Sequence, residues 1–245
     1  MASPTFDPAA YGRHIAASYD ATTGSSDPDV EVAVLSDLAA GAPILEFGIG
    51  TGRLALPLAE RGHLVVGIEG SREMVDQLRR KPGGVDLEVH IGDFSDLRVR
   101  RKFGLVVLAM NTIYALPSQR AQVECFRNAA AHLEPGGAFV VDAWIPDPGA
   151  FRDGRAIRLV QQAEGSVVFE AAEIHPATQM MQTNKIFMGD GSAQVFPANH
   201  RYAWPAELDL MAELAGLHLA HRWGDWDKSP FTDVSRTHVS VWVNP

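Results

Sequence analysis

Short apolar runs alternate with stretches of helical periodicity along the first part of the chain. The apolar runs predict five strands, over residues 43–48, 63–69, 87–93, 103–110 and 137–144. Helical periodicity predicts helices between them, over residues 53–61, 71–81 and 118–133. The runs at 63–69 and 103–110 are nearly continuous in apolar residues, as is typical of parallel strands covered on both faces. Strands separated by helices indicate βαβ units, so the predicted fold class is α/β and doubly wound.

The pattern changes over residues 156–204. Four strand-like runs follow one another there with no helix between them, at 156–163, 166–175, 179–189 and 193–204. They predict a small antiparallel sheet inserted into the main fold, as a lid or a dimer surface. Pro205 then begins a helix that Gly216 ends, the asymmetry expected of helix termini. Two final strands are predicted at 217–223 and 238–243.

Composition narrows the class of protein. A chain of 245 residues with 46% hydrophobic and 21% charged residues is typical of a globular domain with an elaboration. A net charge of −9 makes nucleic acid and anionic membranes poor partners, since binding phosphate needs clustered Lys and Arg. The single cysteine, Cys125, allows no internal disulfide and no thiolate metal site. We expect a cytoplasmic protein without a signal peptide, a monomer or homodimer, acting on a small molecule.

A glycine-rich segment, Glu46-Phe47-Gly48-Ile49-Gly50-Thr51-Gly52, follows the first predicted strand and precedes a helix. Glycines there allow positive φ and a close ligand approach. In the dinucleotide pattern GxGxxG, the third glycine would fall at Arg53 or Ala55, which disfavours NAD. The ExGxGxG spacing instead resembles motif I of the class I S-adenosylmethionine-dependent methyltransferases.

Three later features resemble the same family in the same order. Glu69 ends the second strand, 17 residues after Gly52, where a carboxylate accepts ribose hydroxyls. Asp93 ends the third strand, where the family contacts adenine, and His132-Leu-Glu-Pro-Gly-Gly resembles the loop before the fifth strand. The resemblance implies a Rossmann-like seven-stranded sheet, S-adenosylmethionine as cofactor and S-adenosylhomocysteine as product. It also implies that Arg53 contacts the methionine carboxylate. The expected cofactor-binding residues are Tyr19, Glu46, Gly48, Gly50, Gly52, Arg53, Glu69, Gly70, Met74, Asp93, Phe94 and Met110.

Ligands of open α/β sheets bind at the carboxyl ends of the strands. Three features therefore predict the substrate site: the strand ends, the loop at 223–236, whose tryptophans are expected to form an apolar wall, and the aromatic face of the last inserted run, which is expected to cover the substrate. The expected residues of this site are Asn111, Tyr114, Trp144, His200, Tyr202, Trp223 and Trp226. Five of the nine histidines, at 175, 200, 218, 221 and 238, lie after the fifth predicted strand. They are scattered, so no catalytic metal is expected.

The segment Tyr11-Gly-Arg-His-Ile-Ala-Ala-Ser-Tyr19-Asp20 is similar to the N-terminal helix of amino-sugar N-methyltransferases. The two tyrosines are about two helical turns apart and are expected to share a face. The resemblance makes Tyr11 the catalytic candidate, which orients or deprotonates the nucleophile. Where that subgroup carries a histidine, this chain has Ala115, which puts an amino-sugar substrate in doubt. Asn111-Thr112 resembles instead a bacterial set that includes peptide N-terminal N-methyltransferases.

The expected organisation is an N-terminal helical cap at 1–29, a methyltransferase core at 30–155 and 205–245, and a lid at 156–204. The expected function is methyl transfer to nitrogen or oxygen of a small metabolite of bacterial secondary metabolism. Three alternatives stay open: methylation of a peptide N-terminus, binding of the cofactor without methylation, and an NAD-dependent oxidoreductase.

Overall fold

The computed structural model describes residues 7–22, 27–189 and 191–245; residues 1–6 and 23–26 of the predicted cap lie outside this range. The described helices are α1 (Ala10–Ile15), α2 (Tyr19–Thr22), α3 (Asp29–Ala39), α4 (Ala55–Glu60), α5 (Arg72–Arg79), α6 (Gln119–His132) and α7 (Pro205–Leu214). Strands β1–β5 are Ile44–Phe47, Val65–Glu69, Glu88–Ile91, Phe103–Leu108 and Leu133–Trp144. Strands β6–β11 are Arg155–Ala163, Ser166–His175, Met180–Gly189, Ser192–Arg201, His218–Trp223 and Thr237–Val243. No described helix is long and apolar enough to cross a membrane.

Seven strands form the central sheet, in the order β10-β11-β5-β4-β1-β2-β3. Strands β1 to β5 are mutually parallel, and β11 runs antiparallel to both β5 and β10. All residues of β1 and β2 are buried, because helices cover both faces of the sheet. The predicted α/β fold with a seven-stranded Rossmann-like sheet is confirmed. Parallel strands place the carboxyl ends of β1, β2, β4 and β5 along one edge, where the site is found.

Two serines start helices as the sequence predicts. The Ser71 hydroxyl accepts a hydrogen bond from the Met74 amide at 3.3 Å, and that of Ser118 accepts one from the Ala121 amide at 3.2 Å. Each satisfies a helix donor that would otherwise lack a partner. Strand β5 begins at Leu133, four residues earlier than predicted, because Leu133 already pairs with Phe103 of β4.

The inserted strands form a separate antiparallel sheet, in the order β6-β7-β8-β9. Its inner face buries Val168, Ile174 and Thr183 and carries His200. The opposite face exposes apolar side chains, including Ile157 and Leu159 of the edge strand β6. The predicted antiparallel insertion is therefore present, with one face turned inwards.

A buried arginine anchors the insertion to the main fold. Arg201, at the end of β9, is 6% exposed and donates to the Gln122 Oε1 at 2.6 Å, the Gln179 Oε1 at 3.0 Å and the Glu207 Oε1 at 2.7 Å. Gln122 and Glu207 belong to α6 and α7 of the core, so the guanidinium joins the insertion to both helices. Burial alone would raise the pKa of the Glu207 carboxyl. Hydrogen bonds from Gln179, Arg201 and Gln119 outweigh that effect and lower the pKa below its usual range.

The N-terminal segment packs on the start of α5. A Cβ placed at Gly12 would lie 2.4 Å from the Ser71 Cβ, so only glycine allows α1 to approach this closely. Asp20 accepts a hydrogen bond from the Thr51 hydroxyl at 2.6 Å and pairs with Lys81 at 2.7 Å. The expectation that Tyr11 and Tyr19 share one helical face is wrong, because a turn separates α1 from α2.

Replacing Arg201 with alanine is expected to lower the free energy of unfolding by about 3 kcal/mol, because Glu207 and two glutamines lose a buried partner. Arg158→Ala is the matched control: its side chain is 70% exposed and pairs with Glu170 of the same sheet. It is expected to cost less than about 1 kcal/mol. Urea unfolding measures both; equal losses would contradict an anchoring role for Arg201.

Candidate cofactor and acceptor site

The glycine-rich segment forms a turn at the carboxyl end of β1. Gly48, Gly50 and Gly52 all have positive φ, at 68°, 56° and 83°, which explains the spacing of glycines in the sequence. This turn lines a cavity, here called the glycine-loop cavity. Six of the predicted cofactor-binding residues line it: Tyr19, Glu46, Gly48, Gly50, Arg53 and Met110. Thr51 and Thr112 also line it and were not predicted.

Glu69 holds the turn in place from the end of β2. Its Oε2 accepts a hydrogen bond from the Gly50 amide and its Oε1 one from the Ser71 amide, each at 2.9 Å. Burial raises the pKa of the Glu69 carboxyl, and the amide donors oppose that rise. A carboxylate has about four acceptor positions, so these amides do not use all of its capacity to accept hydrogen bonds.

Three other predicted residues support the turn from behind. A Cβ at Gly52 would lie 2.3 Å from the Leu78 Cδ1, so this glycine permits close packing on α5. Gly70 meets the backbone of Pro8 in the same way, and Met74 is buried beside Gly50. Gly52, Gly70 and Met74 therefore shape the cavity without lining it.

Glu46 and Arg53 are the acidic and the basic side chain that line the cavity. Glu46 is 5% exposed, and its Oε2 has no hydrogen-bond partner within the described part of the chain. Burial raises the pKa of Glu46 to about 8, although the nearby Arg53 opposes the rise. The Arg53 Nη1 donates to the Glu31 Oε1 at 2.8 Å, and both side chains are mostly buried. Glu31, on α3, was missed because nothing in the local sequence links it to the loop.

Tyr19, Asp93 and Phe94 complete the predicted set. Tyr19 lies on α2 above the cavity, where burial raises the pKa of its hydroxyl. Asp93 accepts a hydrogen bond from the Ser95 amide at 2.8 Å, so its carboxylate shapes the turn after β3. Phe94 is buried and stacks on Phe47 with 5.8 Å between ring centroids. The structure places Asp93 and Phe94 outside the glycine-loop cavity.

The end of β4 is strained. Met110 and Asn111 are consecutive non-glycine residues with φ of 58° and 61°, a conformation that costs roughly 1–2 kcal/mol per residue. The Met110 amide donates to the Asp142 Oδ1 at 2.8 Å. The Asn111 Oδ1 accepts from the Trp144 amide at 2.6 Å. Asn111, predicted to bind substrate, thus has its side-chain oxygen turned to the backbone of β5.

An aromatic cluster lies beside this turn, formed by Trp144, Tyr114, His200 and Tyr202. The Trp144 ring lies 4.7, 6.4 and 6.3 Å from those of Tyr114, His200 and Tyr202. The structure therefore brings together four of the seven predicted substrate-site residues, from three chain segments: the turn after β4, the end of β5 and the end of β9. The Tyr114 hydroxyl donates to the carbonyl oxygens of Trp144 or Ala203, at 3.0 and 2.8 Å.

Burial in the aromatic cluster favours neutral side chains. It raises the pKa of Tyr114 and Tyr202, and it lowers that of His200, whose Nε2 lies 3.3 Å from the Thr183 hydroxyl. The imidazole is thus uncharged near neutral pH, and the two phenols keep their protons. A cluster of this kind favours an uncharged group beside it over a charged one.

The remaining predicted residues lie elsewhere. Trp226 belongs to the same buried cluster as Val34 of α3, and Trp223 stacks on His221 with 5.3 Å between ring centroids. Neither tryptophan joins the aromatic cluster, because the loop after β10 folds over α3 instead. Tyr11 is 45% exposed on α1, a helix that contacts both α5 and β9. Within the described ranges, no three His, Cys, Asp or Glu side chains converge as metal ligands.

Comparisons with known proteins identify methyltransferases as relatives of this chain. A family model described as a methyltransferase domain matches residues 44–137. The cypemycin N-terminal methyltransferase of Streptomyces sp is 30% identical over 244 residues, covering 96% of this chain and 98% of that protein. The dTDP-3-amino-3,4,6-trideoxy-alpha-D-glucopyranose N,N-dimethyltransferase of Streptomyces venezuelae is 29% identical, over 57% of this chain and 58% of that protein. The structure of the CcbJ methyltransferase from Streptomyces caelestis superposes with a TM-score of 0.90 and 38% identity, over 98% of this chain and 99% of that one.

The raised pKa of Glu46 predicts a pH-dependent stability. Between its ordinary value of 4.5 and about 8, the folded protein keeps a proton that the unfolded chain loses, so stability falls as pH rises through this window. Between about pH 6.5 and pH 8 we expect wild type to lose about 1 kcal/mol relative to Glu46→Gln. Urea unfolding at the two pH values measures the difference. Glu60→Gln, on the surface of α4, should keep the wild-type slope; an unchanged slope in Glu46→Gln would contradict the prediction.

Proposed function

Because this chain belongs to the class I S-adenosylmethionine-dependent methyltransferases, we propose that it methylates an amine nitrogen of a small natural product. S-adenosylmethionine is the cofactor and S-adenosylhomocysteine the product of this enzyme class. The aromatic cluster is the proposed acceptor site, and the glycine-loop cavity the proposed cofactor site. The two adjoin each other at the Met110–Asn111 turn.

The residues of the glycine-loop cavity fit the cofactor chemically. Glu69, which holds the turn from behind, offers carboxylate oxygens of the kind that ribose hydroxyls donate to, and the unpartnered Oε2 of Glu46 suits a donor from the amino-acid end. Arg53, held by Glu31, supplies positive charge for a carboxylate. When bound, S-adenosylmethionine supplies a methyl group already activated on a sulfonium. The protein's own contribution is then chiefly to hold donor and acceptor in line, which is worth roughly 7–11 kcal/mol.

The protonation states of the aromatic cluster favour nitrogen over oxygen as the atom that accepts the methyl group. The same burial that lowers the pKa of His200 favours the neutral, nucleophilic form of a substrate amine placed beside it. It disfavours an alkoxide, which a hydroxyl acceptor would approach in the reaction.

The names of the relatives support an amine as the methyl acceptor. They leave two classes of acceptor open, a peptide amine and a sugar amine. Both curated relatives are N-methyltransferases by name, one acting on a peptide N-terminus and one on an amino sugar. The match to the peptide enzyme spans nearly the whole of both chains, which favours a peptide amine as the second candidate. All are methyltransferases, so binding without methylation is not favoured. The same family membership disfavours an NAD site, as does Arg53 at the third position of the pattern that starts at Gly48.

Tyr11 is the proposed catalytic residue. Its helix α1 lies between α5, which borders the glycine-loop cavity, and β9, which carries His200. A phenol there orients the amine through a hydrogen bond. The inserted sheet, whose inner face presents His200, is the proposed lid, and the N-terminal segment the proposed cap over the cofactor.

S-adenosylhomocysteine is expected to stabilise the protein and NAD⁺ to leave it unchanged. A ligand at 100 times its Kd adds roughly 2.7 kcal/mol, which should raise the Tm by at least about 5 °C. Methyl transfer is then assayed by mass spectrometry with amino sugars, peptide N-termini and the corresponding hydroxyl compounds. Methylation of hydroxyls in preference to amines would refute the nitrogen assignment. A Tm shift with NAD⁺ alone would refute the proposed cofactor site.

Tyr11→Phe is expected to lower kcat at least about tenfold, because the phenol that orients the amine is lost. The Kd for S-adenosylhomocysteine should stay within about twofold. His14→Ala changes an exposed residue of the same helix and should keep the wild-type rate. Steady-state kinetics and calorimetry separate the two effects. Wild-type turnover in Tyr11→Phe would remove the residue from the mechanism.

A further inference from the structure

The strained turn at Met110 and Asn111 lies between the two proposed sites. Strain of this kind persists only where surrounding contacts over-determine the conformation, and it concentrates at functional sites. Here the contacts come from Asp142 and Trp144, the last residues of the neighbouring strand β5. Asp142 was not among the residues predicted for either site.

Four hydrogen bonds hold the turn. The Asp142 Oδ1 accepts from the Met110 amide at 2.8 Å, and the Asp142 carbonyl oxygen from the Asn111 amide at 3.1 Å. The Asn111 Oδ1 accepts from the Trp144 amide at 2.6 Å, and its carbonyl oxygen from the Tyr114 amide at 2.9 Å. The ends of β4 and β5 are thereby cross-linked in both directions, from side chain to backbone.

The two ends of this linkage reach different sites. Met110 and Thr112 line the glycine-loop cavity, and the Thr112 methyl would lie 3.1 Å from a Cβ at Gly48. Trp144, held through its amide by Asn111, is the centre of the aromatic cluster. One turn therefore fixes a wall of the cofactor site and the central ring of the acceptor site together.

We propose that Asn111 and Asp142 are positioning residues that set the acceptor pocket in register with the methyl donor. The inference rests on the proposed function. An in-line displacement depends on alignment of donor and acceptor, so a small shift between the two sites slows transfer while each site still binds its ligand. Asp142 acts through Met110, and Asn111 acts through Trp144.

Two pairs of variants test the inference. Asn111→Gly removes the acceptor for the Trp144 amide, and glycine tolerates the left-handed conformation, so the fold is preserved. Asn111→Asp restores an oxygen at the same place, in a residue that also tolerates this conformation. Asp142→Ala removes the acceptor for the Met110 amide, and Asp142→Asn keeps a carbonyl oxygen there.

The expected result is a split between the members of each pair. Asn111→Gly and Asp142→Ala should lower kcat at least about tenfold, with the Kd for S-adenosylhomocysteine within about threefold of wild type. Asn111→Asp and Asp142→Asn should recover kcat to within about threefold of wild type. Wild-type kcat in Asn111→Gly and Asp142→Ala would overturn the inference, as would parallel losses of cofactor affinity and Tm in all four variants.

A spectroscopic readout separates this inference from the proposed function. The chain has five tryptophans, so 5-fluorotryptophan labelling gives few ¹⁹F signals, and Trp144→Phe assigns that of Trp144. With S-adenosylhomocysteine bound, the Trp144 signal should shift or broaden in Asn111→Gly and match wild type in Asn111→Asp. An unchanged signal in Asn111→Gly overturns the positioning role. Absence of cofactor binding in wild type overturns the proposed function instead.

Discussion

The Glu69 carboxylate is the contact on which the rest of the site depends. It draws the Gly50 amide and the Ser71 amide to one point, and so fixes the glycine turn after β1 against the start of α5. The N-terminal segment then packs on that start, where Gly12 meets Ser71, and Asp20 ties the same segment to Thr51 of the turn. Two amides that donate to one carboxylate thus fix the shape of the glycine turn and the surface on which the N-terminal segment packs.

Features coded over a few neighbouring residues could be predicted from the sequence. Gly48, Gly50 and Gly52 indicated a turn with positive φ, and all three adopt it. Ser71 and Ser118 indicated helix starts, and the continuous apolar runs indicated parallel strands with both faces covered. Local backbone requirements and burial periodicity decide these features, so a single sequence contains their signal.

The missed features depend on contacts between distant segments. Glu31 reaches Arg53 across 22 residues, and Asp142 reaches Met110 across 32, with no local pattern to mark either. The position of Trp226 was predicted wrongly for the same reason. The loop after β10 packs on α3, and no local pattern indicates that contact. The prediction that Tyr114 and Trp144 lie at the site rested on the topology of the central sheet, which brings strand ends together without specifying side-chain orientation. His200 and Tyr202 were predicted from the alternation of aromatic residues in the last inserted strand.

The anchoring of the inserted sheet through Arg201 has an evolutionary consequence. All the buried polar contacts of this arginine lie at the base of the sheet, beside α6 and α7. Strand β6 lies at the opposite edge of the sheet from β9, and every side chain of β6 except Ala156 is exposed. Exposed positions of β6 can therefore change without disturbing the glycine turn or Glu69. In the lid that we propose, such positions are where a lineage could vary its acceptor while its cofactor site stays the same.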